Sequence, residues 1–388
     1  MALTPPFLGQ HGIRQETPSK AQLGAKLKEG SDPQGKANAR FLPLDAYRGL
    51  IMILLVSDGF GFAQLPKYGF YRFIAEQFDH RPWGGAVFYD LIMPAFLFMV
   101  GVAMPYAFAQ RAKEGSNRVD TTRHVFMRCF RLVLISEILV SIDDSRAHLS
   151  IHNVLTVVAI TYFICHFLMR MDMWKQATIA AALLSVHSAI YLLFPGPDGA
   201  FAQVTNAGAR LDRWLMLASW NLPWNCVTIN LICEIPSVLF GVWVGTLLRG
   251  SRPRAQQMKI LALGMAAAFA SGLALSPLVP INKWLWTATY TLYTTGWSIL
   301  GLLILYVLID VIGMRRLVFP LVVVGMNSLF VYCLSDLLRG RIDSAIAVFS
   351  GSYQSLGIFA PVAQSCSVLL VIWLIAYWMY HRGIFVKV

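Results

Sequence analysis

Residues 87–110 read VFYDLIMPAFLFMVGVAMPYAFAQ, and the only charge in that run is Asp90. At about 1.5 Å per helical residue, a run of this length crosses the roughly 30 Å hydrocarbon core of a bilayer. Comparable apolar runs recur near 44–64, 124–142, 151–169, 176–194, 225–248, 260–277, 288–312, 317–338 and 361–380. Lipid offers no partners for backbone N–H and C=O groups, so repeated runs of this length mean helices. The sequence therefore predicts an all-α fold, a polytopic membrane helical bundle of about ten transmembrane helices (10–11). Residues 41–388 are expected to form one transmembrane domain. Composition agrees: the chain is 57% hydrophobic and 13% charged, with mean hydropathy +0.58. Residues 1–40 are polar, contain Pro, Gly and Lys, and have no apolar core of a signal peptide; they read as a disordered cytoplasmic tail.

Orientation follows from basic residues. Lys and Arg crowd the N-terminal tail, residues 111–131, Arg170 and Lys175, the Arg249–Lys259 stretch, Arg315, Arg316, Arg382 and Lys387, while the alternate loops are poorer in them. Positive charge stays inside, so both termini are expected in the cytoplasm. The net charge of +12 arises largely from this bias. It suits an anionic inner leaflet and calls for no nucleic acid. The six cysteines are scattered, with no CxxC pair, and no metal-ligand cluster is visible.

Charged groups inside apolar spans are costly and ask for a partner or a task. Asp45 and Arg48 stand three apart on one helix face, at the cytoplasmic mouth of the first span. They read either as a helix-end ion pair or as a place where Arg48 binds a phosphate-bearing donor. Asp58 lies about 15 Å further along the same helix, near the outer side. Asp90 opens the second span, where an acid favours a helix N-terminus. Asn153 opens the fourth span, Asn282 and Lys283 lie between spans seven and eight, and Asn327 sits within span nine. Glu137 and Glu234 stand in apolar surroundings.

His80 is the chief candidate for chemistry. It lies in the short outer loop His80-Arg81-Pro82-Trp83-Gly84-Gly85, between the first two spans. Trp83 suits an interfacial anchor or a stacking wall. Asp58 is topologically able to approach the imidazole, and a carboxylate there would fix the tautomer that a general base needs.

The same residues carry a resemblance. Leu44-Asp45-Ala46-Tyr47-Arg48-Gly49, the His80/Trp83/Gly85 loop and Asp90-Leu91-Ile92-Met93-Pro94 resemble the heparan-α-glucosaminide N-acetyltransferase family and its bacterial members. Asn153-Val154-Leu155 with Thr161-Tyr162, and Ile235-Pro236-Ser237 with Gly241 and Gly245, continue the likeness. Pro280-Ile281-Asn282-Lys283 with Leu285-Trp286-Thr287 is its most specific block, and Gly325-Met326-Asn327-Ser328 closes it. Two departures stand out: Asp58 replaces an Asn of the family after one gap, and Gly84 stands where Asn is usual.

The resemblance implies an acetyl-CoA-dependent membrane N-acetyltransferase. Acetyl-CoA would enter from the cytoplasm, and the acetyl group would pass to an amine or hydroxyl of an amino sugar, such as a glucosamine-containing saccharide, outside. His80 would act as base or acyl acceptor with Asp58 as its partner. Arg48, Asp45, Asn153 and Asn327 would serve the donor, and Trp83, Asp90, Asn282 and Lys283 the acceptor. The resemblance further suggests a homodimer; a bacterial inner-membrane location is expected, and no metal, since no ligand cluster is visible. A proton-coupled transporter of an amino sugar or similar solute is the alternative, with Asp58 and Glu234 as the coupling carboxylates.

Overall fold

The computed structural model describes residues 41–143, 153–215, 227–350 and 353–386; the expected tail, 1–40, lies outside them. Regular structure among the described residues is helical, and the β pairings are isolated bridges such as Gly85–Asn282. The helices are α1 (Leu42–Val56), α2 (Gly69–Phe78), α3 (Ile92–Lys113), α4 (Arg118–Asp143), α5 (Val154–Leu168), α6 (Met173–Leu193) and α7 (Ala207–Trp214). There follow α8 (Val227–Arg249), α9 (Arg254–Ala274), α10 (Ala288–Tyr306), α11 (Phe319–Met326), α12 (Ser328–Ser350) and α13 (Ala360–Arg382).

Each of the ten apolar runs contains helix, yet the number able to cross a membrane is smaller than expected. Among the described residues six helices are long and apolar enough, and a seventh span arises if the bent α11–α12 pair counts as one. Three physical reasons account for the difference. Helices α1 and α5 have 15 residues each, which reach only about 22 Å. Helix α4 has 26 residues but carries Arg118, Arg123, Arg128 and Arg131. The expected ninth span breaks by 81° at Asn327. Helix α1 stops early because Asp58 and Phe60 adopt left-handed φ values of 50° and 58°, a conformation that ends an α-helix. The Ser57 hydroxyl oxygen takes the Phe60 N–H there, at 3.0 Å.

Small residues let the helices meet at backbone distance. A Cβ on Gly241 would overlap the Phe98 carbonyl, one on Gly245 the Val102 carbonyl, and one on Gly101 the Val238 carbonyl. Side chains are thus excluded where α3 and α8 cross, and dispersion contact between backbones replaces them. The pairing of 98 with 241 and of 102 with 245 makes these two helices parallel. Leu97, Met104, Leu155, Val238, Leu239 and Tyr290 pack around the crossing as the main core. Gly49 against Leu321, with Gly325 against the Asp45 carbonyl, repeats the device where α1 and α11 run antiparallel.

These contacts define two ends. Arg111 and Lys113 end α3 and Arg249 ends α8, so they share one end of the parallel pair. The Arg254 guanidinium at the start of α9 joins them, 3.3 Å from Asp310 beyond α10. Asp90, His80 and the start of α10 occupy the opposite end.

Substitutions at the glycines should separate these roles. Gly241→Val is expected to destabilise the bundle by roughly 1–3 kcal/mol or more through overpacking. Gly264→Ala, where a Cβ meets open space, should stabilise by about 0.5–1 kcal/mol. Thermal denaturation in detergent reads both, and a neutral Gly241→Val would remove the crossing as the core of the fold.

Candidate active site

Three loops converge at the basic-poor end. Helix α2 delivers the chain to Asp79 and His80, and left-handed turns at Gly84 and Gly85, both at φ 74°, fold it back. The Gly85 N–H then donates to the Ile281 carbonyl at 2.7 Å. That bond joins the His80 loop to the segment before α10, about two hundred residues downstream. Trp83 pins a third loop, its Nε1–H donating to the Phe201 carbonyl at 3.1 Å.

Asp90 is the centre of the arrangement. It is 1% exposed, and its Oδ1 lies 2.7 Å from His80 Nδ1 and 3.0 Å from Lys283 Nζ. Its Oδ2 accepts the Val87 N–H at 3.2 Å, closing the turn that opens α3. The Tyr290 hydroxyl donates to the Asp90 main-chain carbonyl at 2.6 Å, fixing α10 against the same residue. A buried carboxylate needs this many donors to offset its lost hydration.

The hydrogen bonds select a tautomer. Lys283 Nζ also lies 2.9 Å from His80 Nδ1 and 3.4 Å from Nε2. Nδ1 cannot both donate to Asp90 and accept from Lys283. We assign its hydrogen to Asp90, the shorter contact and the one to a carboxylate, which can only accept. Nε2 then keeps its lone pair, and the imidazole is 43% exposed, open to an incoming molecule. Tyr89 and Trp284 wall the ring, with centroids at 5.0 and 6.4 Å. Burial pushes the Lys283 ammonium below the ordinary lysine range, against the opposing pull of Asp90.

The other expected residues are distributed differently. Asp58 does not reach His80. It is half-exposed, accepts from the Tyr89 hydroxyl at 3.2 Å, and stands 3.8 Å from Arg339. The carboxylate on the imidazole is Asp90 in its place, because the left-handed turn at Asp58 ends α1 and sends the chain away. Asn282 is buried and accepts the Leu285 N–H at 3.2 Å, shaping the turn that presents Lys283. Asn153 caps α5 by accepting the Leu155 N–H at 2.9 Å.

Asn327 holds the chain end beyond α13, with bonds of 3.0 Å to Ile384 and Val386. Neither asparagine joins the His80 cluster. Asp45 and Arg48 lie deeper in the bundle: Tyr47, beside them, bonds Ser298 and abuts Gly301 on α10. Those positions are about 12–16 Å along the helix axis from Tyr290. Only the fold brings Tyr89 and Trp284 to the ring and Tyr290 to the Asp90 carbonyl; the sequence offers no signal for any of the three.

No family model matches the chain. Two curated proteins do. The chain is 23% identical over 357 residues to heparan-alpha-glucosaminide N-acetyltransferase of Homo sapiens, covering 76% of this chain and 52% of that protein. It is 23% identical over 390 residues to the Mus musculus protein of the same name, covering 83% of this chain and 57% of that one. The chain thus spans little more than half the length of the curated relatives it matches. The apolar helices fit an integral membrane protein, and the activity of this chain is a matter of proposal.

The lysine gives a pH test. Between its lowered pKa and the ordinary value of 10.5, Lys283 binds fewer protons in the fold than in the unfolded chain. Stability should therefore rise with pH across that window. Lys283→Met is expected to flatten the rise when thermal midpoints are compared from about pH 8 to pH 10. Curves of equal slope for parent and variant would refute the assignment.

Proposed function

We propose that this protein is a transmembrane acetyltransferase that moves an acetyl group from acetyl-CoA at its basic end to the amine of an amino sugar at the His80 end. The supporting observation is the buried Asp90 carboxylate bonded to both His80 and Lys283, at the opposite end of the bundle from Arg111 and Arg249, in a chain similar to two N-acetyltransferases. In this reading the basic end is cytoplasmic, the membrane is the bacterial inner membrane, and residues 41–388 form the acyltransferase domain.

His80 Nε2 takes a proton from the acceptor amine as its nitrogen attacks the thioester carbonyl. The carbon–sulfur bond then breaks, CoA leaves as a thiolate, and the proton held by the imidazole balances it. Asp90 holds Nδ1–H and fixes the ring, while Asp58 acts at one remove through Tyr89. The Lys283 ammonium is the cation nearest Nε2, placed to steady the tetrahedral oxyanion. Trp83 and Trp284 form the aromatic side of an acceptor pocket, in which Asn282 holds the turn. Arg48, with Asp45 beside it, holds the CoA phosphates together with Arg and Lys of the basic end. Tyr290, Thr294 and Ser298 are buried on one face of α10, between Asp90 and Tyr47. This polar face is the route we assign to the amide-bearing pantetheine arm.

A second reading draws on Glu234. It is buried in α8, and its Oε2 has no hydrogen-bond partner among the described residues. An unpartnered intramembrane carboxyl and a broken helix at Asn327 are features of proton-coupled transporters.

Purified protein given labelled acetyl-CoA and glucosamine, then a panel of amino sugars, tests the two readings. Label on the sugar is expected; sugar uptake into proteoliposomes without acetylation would favour the transporter. His80→Ala and Asp90→Asn should each lower turnover by roughly 10²–10⁴, and Asp58→Asn by much less. Equal losses for the two aspartates would discard Asp90 as the partner of the base. Arg48→Ala should weaken donor binding by about 1.5–3 kcal/mol, and unchanged affinity for CoA in calorimetry would remove Arg48 from the donor site.

A further inference from the structure

Helix α2 has three chemically distinct sides. Tyr71, Ala75 and Phe78 face the protein. Ala75 is buried, Phe78 packs on Phe62 and Phe88 at 5.0 and 5.4 Å between ring centroids, and Tyr71 meets Phe359 at 6.0 Å. A second flank carries Phe70 and Phe73, which are 74% and 66% exposed, with Tyr68 just before the helix at 64%. The remaining flank is charged: Arg72 pairs with Glu76, and Lys67 with Asp79, each at 2.7 Å. On a helical wheel the phenylalanines and the Arg72–Glu76 pair stand about a third of a turn apart.

A helix wholly in water gains nothing from two exposed phenylalanines, and one within hydrocarbon would pay for exposed ion pairs. The two flanks together fit the boundary between headgroups and acyl chains. Two features say what covers the aromatic flank. Helix α2 lies between the turn that ends α1 and the start of α3, so it sits at the level where apolar helices begin. The Tyr71–Phe359 contact also joins it to the start of α13, where Ile358 and Phe359 are exposed and lead into a span whose sides are largely uncovered by protein.

We propose that α2 is an interfacial helix whose Phe70–Phe73 flank is seated in the lipid leaflet at the His80 end, with its Arg72–Glu76 flank in water. The occupant of this surface is phospholipid. Since His80 follows α2 by two residues, lipid contact sets the depth of the imidazole relative to the headgroups.

Photocrosslinking of the full chain in phospholipid nanodiscs tests the proposal without any assay of activity. p-Benzoylphenylalanine is placed singly at positions 70, 73, 72 and 76, and at Leu370 of α13 as a lipid-facing control. Each variant is first checked for elution at the parental volume. Illumination should add the mass of one phospholipid at 70, 73 and 370, and not at 72 or 76. A covalent dimer formed from 70 or 73 would overturn the proposal, because a second copy would then cover the flank. A lipid adduct at 370 with none at 70 and 73, or equal adducts on both flanks, would also overturn it.

Discussion

A single carboxylate removed from water constrains one end of this bundle. Asp90 stands at the start of an apolar helix with almost no solvent contact, and an unpaired charge there costs several kcal/mol. Its oxygens are met by an imidazole, an ammonium and a main-chain N–H drawn from two loops far apart in sequence. Removing any one donor leaves the others around a less compensated charge. The same interaction that closes this end of the bundle also sets the tautomer of His80. A change at Asp90 therefore acts on the packing of this end and on the setting of the imidazole together.

The cluster can form only because the helices bring their ends together. Glycines at 101, 241 and 245 let α3 and α8 approach at backbone distance, which fixes their parallel direction and the position of Asp90 at the head of α3. Helix α10 packs into the same core through Tyr290, whose hydroxyl reaches the Asp90 carbonyl. Lys283 lies five residues before α10, in a turn shaped by Asn282, and so arrives at the carboxylate as a consequence of helix packing. Asp58 shows the opposite case. Its helix ends a turn too soon and in the wrong direction for its carboxylate to meet the ring.

Much of the fold was legible as hydropathy. Every apolar run contains helix, and the basic residues at the ends of α3 and α8 and the start of α9 gather at one end. The number of crossings was less legible. Length alone does not reveal that α1 halts at a left-handed aspartate, that α4 carries too much charge, or that Asn327 marks an 81° bend. Each depends on a local backbone choice or a neighbour that a hydropathy window averages away. At the site, His80 stood out as a lone polar ring beside apolar spans, whereas its partner did not. A carboxylate at a helix start reads as a cap from sequence, and Asp90 does serve as one through Val87 while also holding the imidazole.

By itself the sequence determined that this chain is helical and built for a membrane, because lipid leaves the backbone no other way to satisfy its polar groups. It also determined which side chains carry charge into apolar surroundings. The tertiary structure alone decided which of those charges meet. Hydrogen bonds of 2.7 and 3.0 Å on Asp90, one of them from a residue almost two hundred positions away, depend on helix direction and crossing distance. Those are properties of packed backbones, and no spacing along one chain encodes them directly.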